Sequence, residues 1–170
     1  MHGDAESVPY PDESFDFAIS EYGAATWCDP EVWVPEAYRL LRPGGALTFL
    51  GNHTFTAVCT PSSGANCDER LHFPYFGMNK RDWRFAEIDP GGTDFNLTIS
   101  DWLGLFRLTG FDVLDYDELQ APPDISEAPF IRLRRMGTPL AVGAGLATLQ
   151  EPVGVWTEPL HRCDRRATRA

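Results

Sequence analysis

The sequence predicts an α/β fold, and three features carry that prediction. Two short apolar runs, Phe15-Asp16-Phe17-Ala18-Ile19-Ser20 and Ala46-Leu47-Thr48-Phe49-Leu50, flank a segment with helical periodicity. A Pro43-Gly44-Gly45 breaker lies between that segment and the second run. A second helical segment and a further apolar run follow over residues 98–116. Strand, helix and strand in this order spell a βαβ crossover, because parallel strands need a long connection between them. Hydrophobic residues make up 43% and charged residues 23% of the 170, enough apolar material for about one packed domain.

Each element has a local reason. Residues 3–14 are rich in Pro, Asp, Glu and Ser and read as a loop. The run at 15–20 ends on a polar residue, as a buried parallel strand does. Asp29 is placed to cap a helix whose first position is Pro30. Val32, Trp33, Ala37, Leu40 and Leu41 then recur at helical spacing, and Arg42 with the breaker is expected to end the helix. Ala46–Leu50 is a second strand, closed by Gly51-Asn52. Residues 52–96 read as irregular and rich in aromatics, and so long a stretch points to a functional role. Thr98–Thr109 reads as a helix with Gly110 as its C-cap, and Phe111–Tyr116 as a third strand. After Pro122-Pro123, Phe130–Leu133 reads as a fourth strand. From Arg134 onward the pattern dissolves, so residues 134–170 are expected to be a disordered tail.

The net charge of −11 argues against nucleic acid as a partner, since binding phosphates takes Lys and Arg. No apolar run approaches the roughly 20 residues that cross a bilayer, so no membrane partner is expected. Residues 1–131 hold 7 basic and 22 acidic side chains, whereas residues 132–170 hold 7 basic and 3 acidic, a break that marks a tail. The cysteines Cys28, Cys59, Cys67 and Cys163 form no C-x-x-C pair, and no His stands beside them at zinc spacing. Reduced thiols, no metal and a cytoplasmic location are expected. The acidic Met1–Glu6 stretch does not read as a secretory signal.

Several landmarks then line up as one string. They are Gly3-Asp4-Ala5-Glu6, Pro9-Tyr10-Pro11-Asp12, Ser14-Phe15-Asp16, Ser20-Glu21-Tyr22-Gly23 and Leu40-Leu41-Arg42-Pro43-Gly44-Gly45. In that order they resemble the class I S-adenosylmethionine-dependent methyltransferases, in the small-molecule group that carries GDAE and LRPGG signatures. The resemblance is close over residues 3–51 and looser over 98–116. It implies the C-terminal half of a Rossmann-like methyltransferase sheet, strands 4-5-7-6 of the family's order, with an irregular cap insertion at 52–96. Residues 1–133 would be the partial methyltransferase domain.

The resemblance also assigns the residues. Asp4 would accept a hydrogen bond from the adenine amino group, and Ala5 would offer its backbone N–H to the purine. Open α/β sheets bind ligands at the carboxyl ends of their strands, where both would lie. Ser20 and Glu21 would line the methionine end of the cofactor, S-adenosylmethionine. Tyr22, His53 and Tyr75 would face the methyl acceptor, with His53 a candidate general base and the aromatics of 52–96 a lid that excludes water. No catalytic residue is assigned.

The family's Gly-rich turn, of the form [E/D]-x-G-x-G-x-G, is missing from the 170 residues. An N-terminally truncated domain is therefore expected, with weak or absent cofactor binding and with weak or no activity alone. The strand at 15–20 would then present a bare apolar edge, open to self-association. A non-catalytic fragment or interaction module pairing through that edge is the alternative. The Arg135–Leu146 stretch, back-translated with GC-rich codons and shifted in frame, resembles the Trp- and Arg-rich terminus of related methyltransferases. A frame change near Arg134 is the corresponding expectation.

Overall fold

The computed structural model describes residues 3–87, 91–120 and 143–150. Strand β1 is Phe15–Glu21, followed by the short helix α1, Gly23–Trp27, and the longer helix α2, Pro30–Leu40. Strand β2 is Leu41–Asn52 and helix α3 is Thr54–Cys59. Two short strands, β3 at Lys80–Asp82 and β4 at Thr93–Phe95, precede helix α4 at Ile99–Thr109. Strands β5, Asp112–Gln120, and β6, Gly143–Gln150, complete the described elements.

The main sheet runs β1-β2-β6-β5. β1 and β2 are parallel, and β6 is antiparallel to both of its neighbours. This is the expected 4-5-7-6 order, with the last strand inserted between two earlier ones. The strand expected at Phe130–Leu133 lies outside the described residues. The inserted position is instead filled by Gly143–Gln150, within the stretch expected to be disordered. The run Gly-Ala-Gly-Leu-Ala-Thr-Leu-Gln has weak intrinsic strand preference, so pairing on both sides makes it a strand rather than its composition.

Helix α2 starts as its cap residues dictate. The Asp29 side chain accepts from the Glu31 N–H at 3.0 Å, and Pro30 needs no donor in the first turn. Trp33, Val34, Ala37 and Leu40 form its buried stripe. The helix ends at Leu40, earlier than the breaker, because Leu41 is already extended and pairs with Phe15 of β1. The Pro43-Gly44-Gly45 turn thus lies inside β2, at an irregularity in the β1–β2 register. Gly44 has φ +83°, and a Cβ at Gly45 would stand 2.8 Å from the Arg42 carbonyl oxygen. Glycine is required there by both conformation and space.

Helix α4 is capped by Thr98, whose hydroxyl accepts from the Asp101 N–H, and ends at Gly110 with φ +112°. α2 and α4 cover one face of the sheet. Trp33 meets Phe49 edge-on at 5.6 Å, Phe49 meets Phe106 at 5.7 Å, and Leu41, Leu47 and Phe111 fill the space around them. The segment 52–96, expected to be irregular, contributes α3, β3 and β4. β3 and β4 form a separate antiparallel ribbon that sets Arg81 opposite Asp94. Cys28, Cys59 and Cys67 are free thiols, and burial pushes Cys67 up to about 11.

Candidate functional site

The opening loop is fixed to the start of α2. Asp4 is exposed and its Oδ1 accepts from the Glu6 N–H at 2.9 Å, closing a tight turn across Ala5. Glu6 then reaches the helix entrance, where its Oε1 accepts from the Asp29 N–H at 2.6 Å. Burial raises the Cys28 thiol, with Glu6 and Asp4 adding to the shift, so both carboxylates lie close to the end of α1. α2 begins just after β1 ends. The Asp4 loop therefore sits on the carboxyl-end side of β1, where an α/β sheet receives its ligand.

The rest of the loop is clamped by arginines. Arg39 on α2 pairs with Asp12 and Glu36 at 2.7 Å each and donates to the carbonyls of Val8 and Tyr10. Glu36 in turn accepts from the Val8 N–H, and its pKa is lowered chiefly by the Arg39 hydrogen bond. Arg42 pairs with Asp16 and donates to the Ser14 carbonyl. Asp12 and Asp16 of the opening string are thus the partners of Arg39 and Arg42.

At the end of β1, the Ser20 hydroxyl accepts from the Ala25 N–H at 3.3 Å, and Glu21 is exposed. Tyr22 follows with φ +57° and ψ −53°, an unusual conformation for an aromatic residue. It is held by its N–H donating to Leu50 and its carbonyl accepting from Thr26. Strain of this sort collects at functional sites. Ser20, Glu21 and Tyr22 thus share one strand-to-helix junction. The Asp4–Ala5 turn approaches that junction near the end of α1.

His53 and Tyr75 belong to a different corner. His53 is buried at 7% exposure and caps α3, its Nδ1 accepting from the Phe55 N–H at 3.1 Å. Its Nε2 lies 2.6 Å from Glu118 Oε1 on β5. Both ring nitrogens are engaged, so in this geometry His53 is a tether between the start of α3 and β5 and has no free nitrogen for proton removal. Its ring stacks on Phe55 at 5.5 Å, and Phe55 meets Tyr75 at 5.6 Å. Burial raises the Tyr116 hydroxyl, with smaller contributions from Glu118 and Tyr75, so these groups crowd together.

Between the two corners lies a cleft of about 30 Å³, room for about one water, with Thr26, Asn52, His53, Asn96, Trp102 and Tyr116 in its lining. The Thr26 hydroxyl is buried there without a hydrogen-bond partner. Sequence reasoning missed Glu6, Arg39, Trp27 and Arg81. A spacing search could have flagged Glu6 and Arg39 through their charge; Trp27, which donates to Asp94, carries no local signal. No group of three or more His, Cys, Asp or Glu among the described residues could hold a metal ion. No described helix is long and apolar enough to cross a membrane.

A methyltransferase-domain family matches residues 1–49, the segment that carries the Asp4 loop, β1, α1, α2 and most of β2. Over that segment the chain is similar to methyltransferase domains. It is 43% identical over 51 residues to 2-methyl-6-phytyl-1,4-hydroquinone methyltransferase 2 of Oryza sativa, covering 30% of this chain and 15% of that one. It is 49% identical over 55 residues to the malonyl-[acyl-carrier protein] O-methyltransferase of Dechloromonas aromatica, covering 31% and 21%. The matched segment is thus a small part of these relatives' length.

The fold likeness extends further. An S-adenosylmethionine-dependent methyltransferase structure from Mesorhizobium loti superposes with TM-score 0.61 at 17% identity, covering 88% of this chain and 67% of that one. One from Methanosarcina mazei gives 0.57 at 14%, covering 89% and 66%. The fold is therefore the Rossmann-like α/β fold of those S-adenosylmethionine-dependent methyltransferase structures. Asp4 presents an exposed carboxylate, and Ser20 and Glu21 end β1.

Proposed function

We propose that this chain supplies the adenine contact, the methionine-end contact and the acceptor-facing cap of an S-adenosylmethionine-dependent methyltransferase acting on a small molecule. The observation that carries the reading is the docking of the Asp4–Glu6 turn on the entrance of α2, at the carboxyl side of β1. When bound, the cofactor supplies an electrophilic methyl group on a positively charged sulfur. Asp4 would hold the adenine amino group and the Ala5 N–H the ring. Ser20, Glu21 and Tyr22 would line the reactive end. Residues 52–96, with Tyr75 near the His53–Phe55 stack, would face the acceptor and keep water out. His53 positions α3 against β5 rather than taking a proton.

The 170 residues hold no Gly-rich turn, so the chain presents part of the cradle and its own affinity is expected to be weak. A cytoplasmic location belongs to the same reading and is supported by the free thiols Cys28, Cys59 and Cys67. The exposed β1 residues Phe17 and Ile19 support self-association through that strand.

The test is an amide-resolved NMR titration with S-adenosylmethionine at millimolar concentration. Shifts confined to Asp4–Glu6 and Ser20–Gly23, lost in Asp4→Ala, are expected. Shifts elsewhere, or none, would overturn the cofactor assignment. Micromolar affinity by calorimetry would overturn the partial-cradle account.

A further inference from the structure

The cap contains a cationic site that the methyltransferase chemistry described above does not use. Arg81 on β3 is buried at 7% exposure. Its guanidinium lies over the Phe73 ring at 3.8 Å and over the Trp83 ring at 4.9 Å. One terminal nitrogen, Nη2, points at the Met78 sulfur at 3.4 Å, a weak acceptor. The other, Nη1, is buried with no hydrogen-bond partner at all.

A buried arginine with an idle nitrogen is expensive, because an ionised group out of water needs a partner. The obvious partner declines the role. Asp94 stands directly opposite Arg81 across the β3–β4 ribbon. Its carboxylate is turned instead to two indoles: it accepts from Trp83 Nε1 at 2.9 Å and from the Trp27 side chain. No described ion pair includes Arg81. The two aromatic faces hold the guanidinium plane rigid, which suits a forked donor for a carboxylate.

Beside it opens a cavity of about 420 Å³, whose lining includes Phe73, Pro74, Met78, Arg81 and Trp83. That volume is of the size that takes a small organic ligand. Trp27 belongs to α1, the helix that follows the β1 junction, so the Trp27–Asp94–Trp83 bonds tie this cavity to the cofactor side of the sheet.

We propose that Arg81 is the anion-recognition residue of an acceptor subsite in the cap, and that it takes a carboxylate carried on an apolar body. The carboxylate supplies the acceptor that Nη1 lacks, and Phe73, Pro74 and Met78 supply the apolar contact. Only the name "acceptor" rests on the methyltransferase reading; the ligand chemistry stands on the cavity alone.

The experiment titrates the full chain with benzoate, benzamide and inorganic phosphate, reading the Trp83 indole N–H by NMR and assigning it with Trp83→Phe. Benzoate should shift that signal saturably. Benzamide, which has the same body without the charge, should bind about tenfold more weakly or worse. Phosphate should also bind more weakly than benzoate, since it lacks the body. Arg81→Met should lose the benzoate response while Arg81→Lys keeps part of it, with thermal melts to show that both fold. If Arg81→Met does not fold, the benzoate–benzamide contrast in the unaltered chain still decides. Equal response to benzoate and benzamide, or no response to either, overturns the site. Phosphate binding as tightly as benzoate overturns the apolar body. S-adenosylmethionine titrated in parallel separates the two readings: silence at Asp4–Glu6 with a normal benzoate response sinks the cofactor assignment alone.

Discussion

Leu47 and Ile19 stand on neighbouring parallel strands, one register step apart, and are both aliphatic. Leu47 is 1% exposed and Ile19 is 71% exposed. They differ because they point to opposite faces of the sheet. Ala18 and Ser20 pair with Leu47 and Phe49 and share the face that α2 and α4 cover. Phe17 and Ile19 lie on the other face, which no described helix covers. A strand's apolar content says that both faces are suited to burial; only the neighbouring helices decide which face is buried. The open face carries the same kind of side chain as the core without the energy of burial.

That comparison can be broken in several ways. Phe49→Ala should be the most damaging, losing about 3–5 kcal/mol, since Phe49 touches Trp33, Trp102 and Phe106. Ile19→Ala should change the urea midpoint by no more than about 0.5 kcal/mol in stability, as a surface site does. An equal loss at both positions would mean that the open face is covered in solution.

Gly45→Ala ranks next, at about 1–3 kcal/mol, because backbone from Arg42 and Asp16 closes on the added methyl from both sides. Refolding to an unchanged melting temperature would show that the β1–β2 irregularity has room to spare.

Asp94→Asn should have a smaller effect that depends on pH. Burial raises the Asp94 carboxyl above its ordinary value, with Trp83 and Arg81 opposing. A raised acid favours the folded state fully only below its unfolded pKa, and that advantage is lost as pH rises through the folded pKa. The variant's melting temperature relative to the natural chain should therefore climb between acid and neutral pH. A flat difference would show that Asp94 is charged at no cost.

Ile19→Lys should be the mildest for stability and should lower any self-association seen by analytical ultracentrifugation. Unchanged association would remove β1 as the contact.

Much of the crossover was legible because its signals are local. Asp29-Pro30 announces the start of α2, Thr98 and Gly110 bracket α4, and both do in the structure what their chemistry suggests. The strand order followed from the resemblance rather than from periodicity. β6 was not legible, since a Gly- and Ala-rich run becomes a strand only between two partners. The end of α2 lies two residues before the expected one, because Leu41 takes its conformation from Phe15 across the sheet. Asp4 and Glu21 are assigned by the resemblance of the string alone, and the structure adds only that both are exposed. The engagement of both His53 nitrogens was not legible, because Glu118 lies 65 positions away in the chain. Arg81 looked like one charge in an irregular segment; its burial appears only once Phe73 and Trp83 close around it.

The place of β6 also bears on how the molecule is made. It sits between β2 and β5, joining Ala46 to Gln150, so a central strand of the sheet is synthesised after both of its neighbours. As the chain leaves the ribosome, β2 must wait with one hydrogen-bonding edge unsatisfied, and β5 without any partner among the described strands. Pairings of such long sequence separation form slowly. Unpaired strand edges in that interval are points of misassociation.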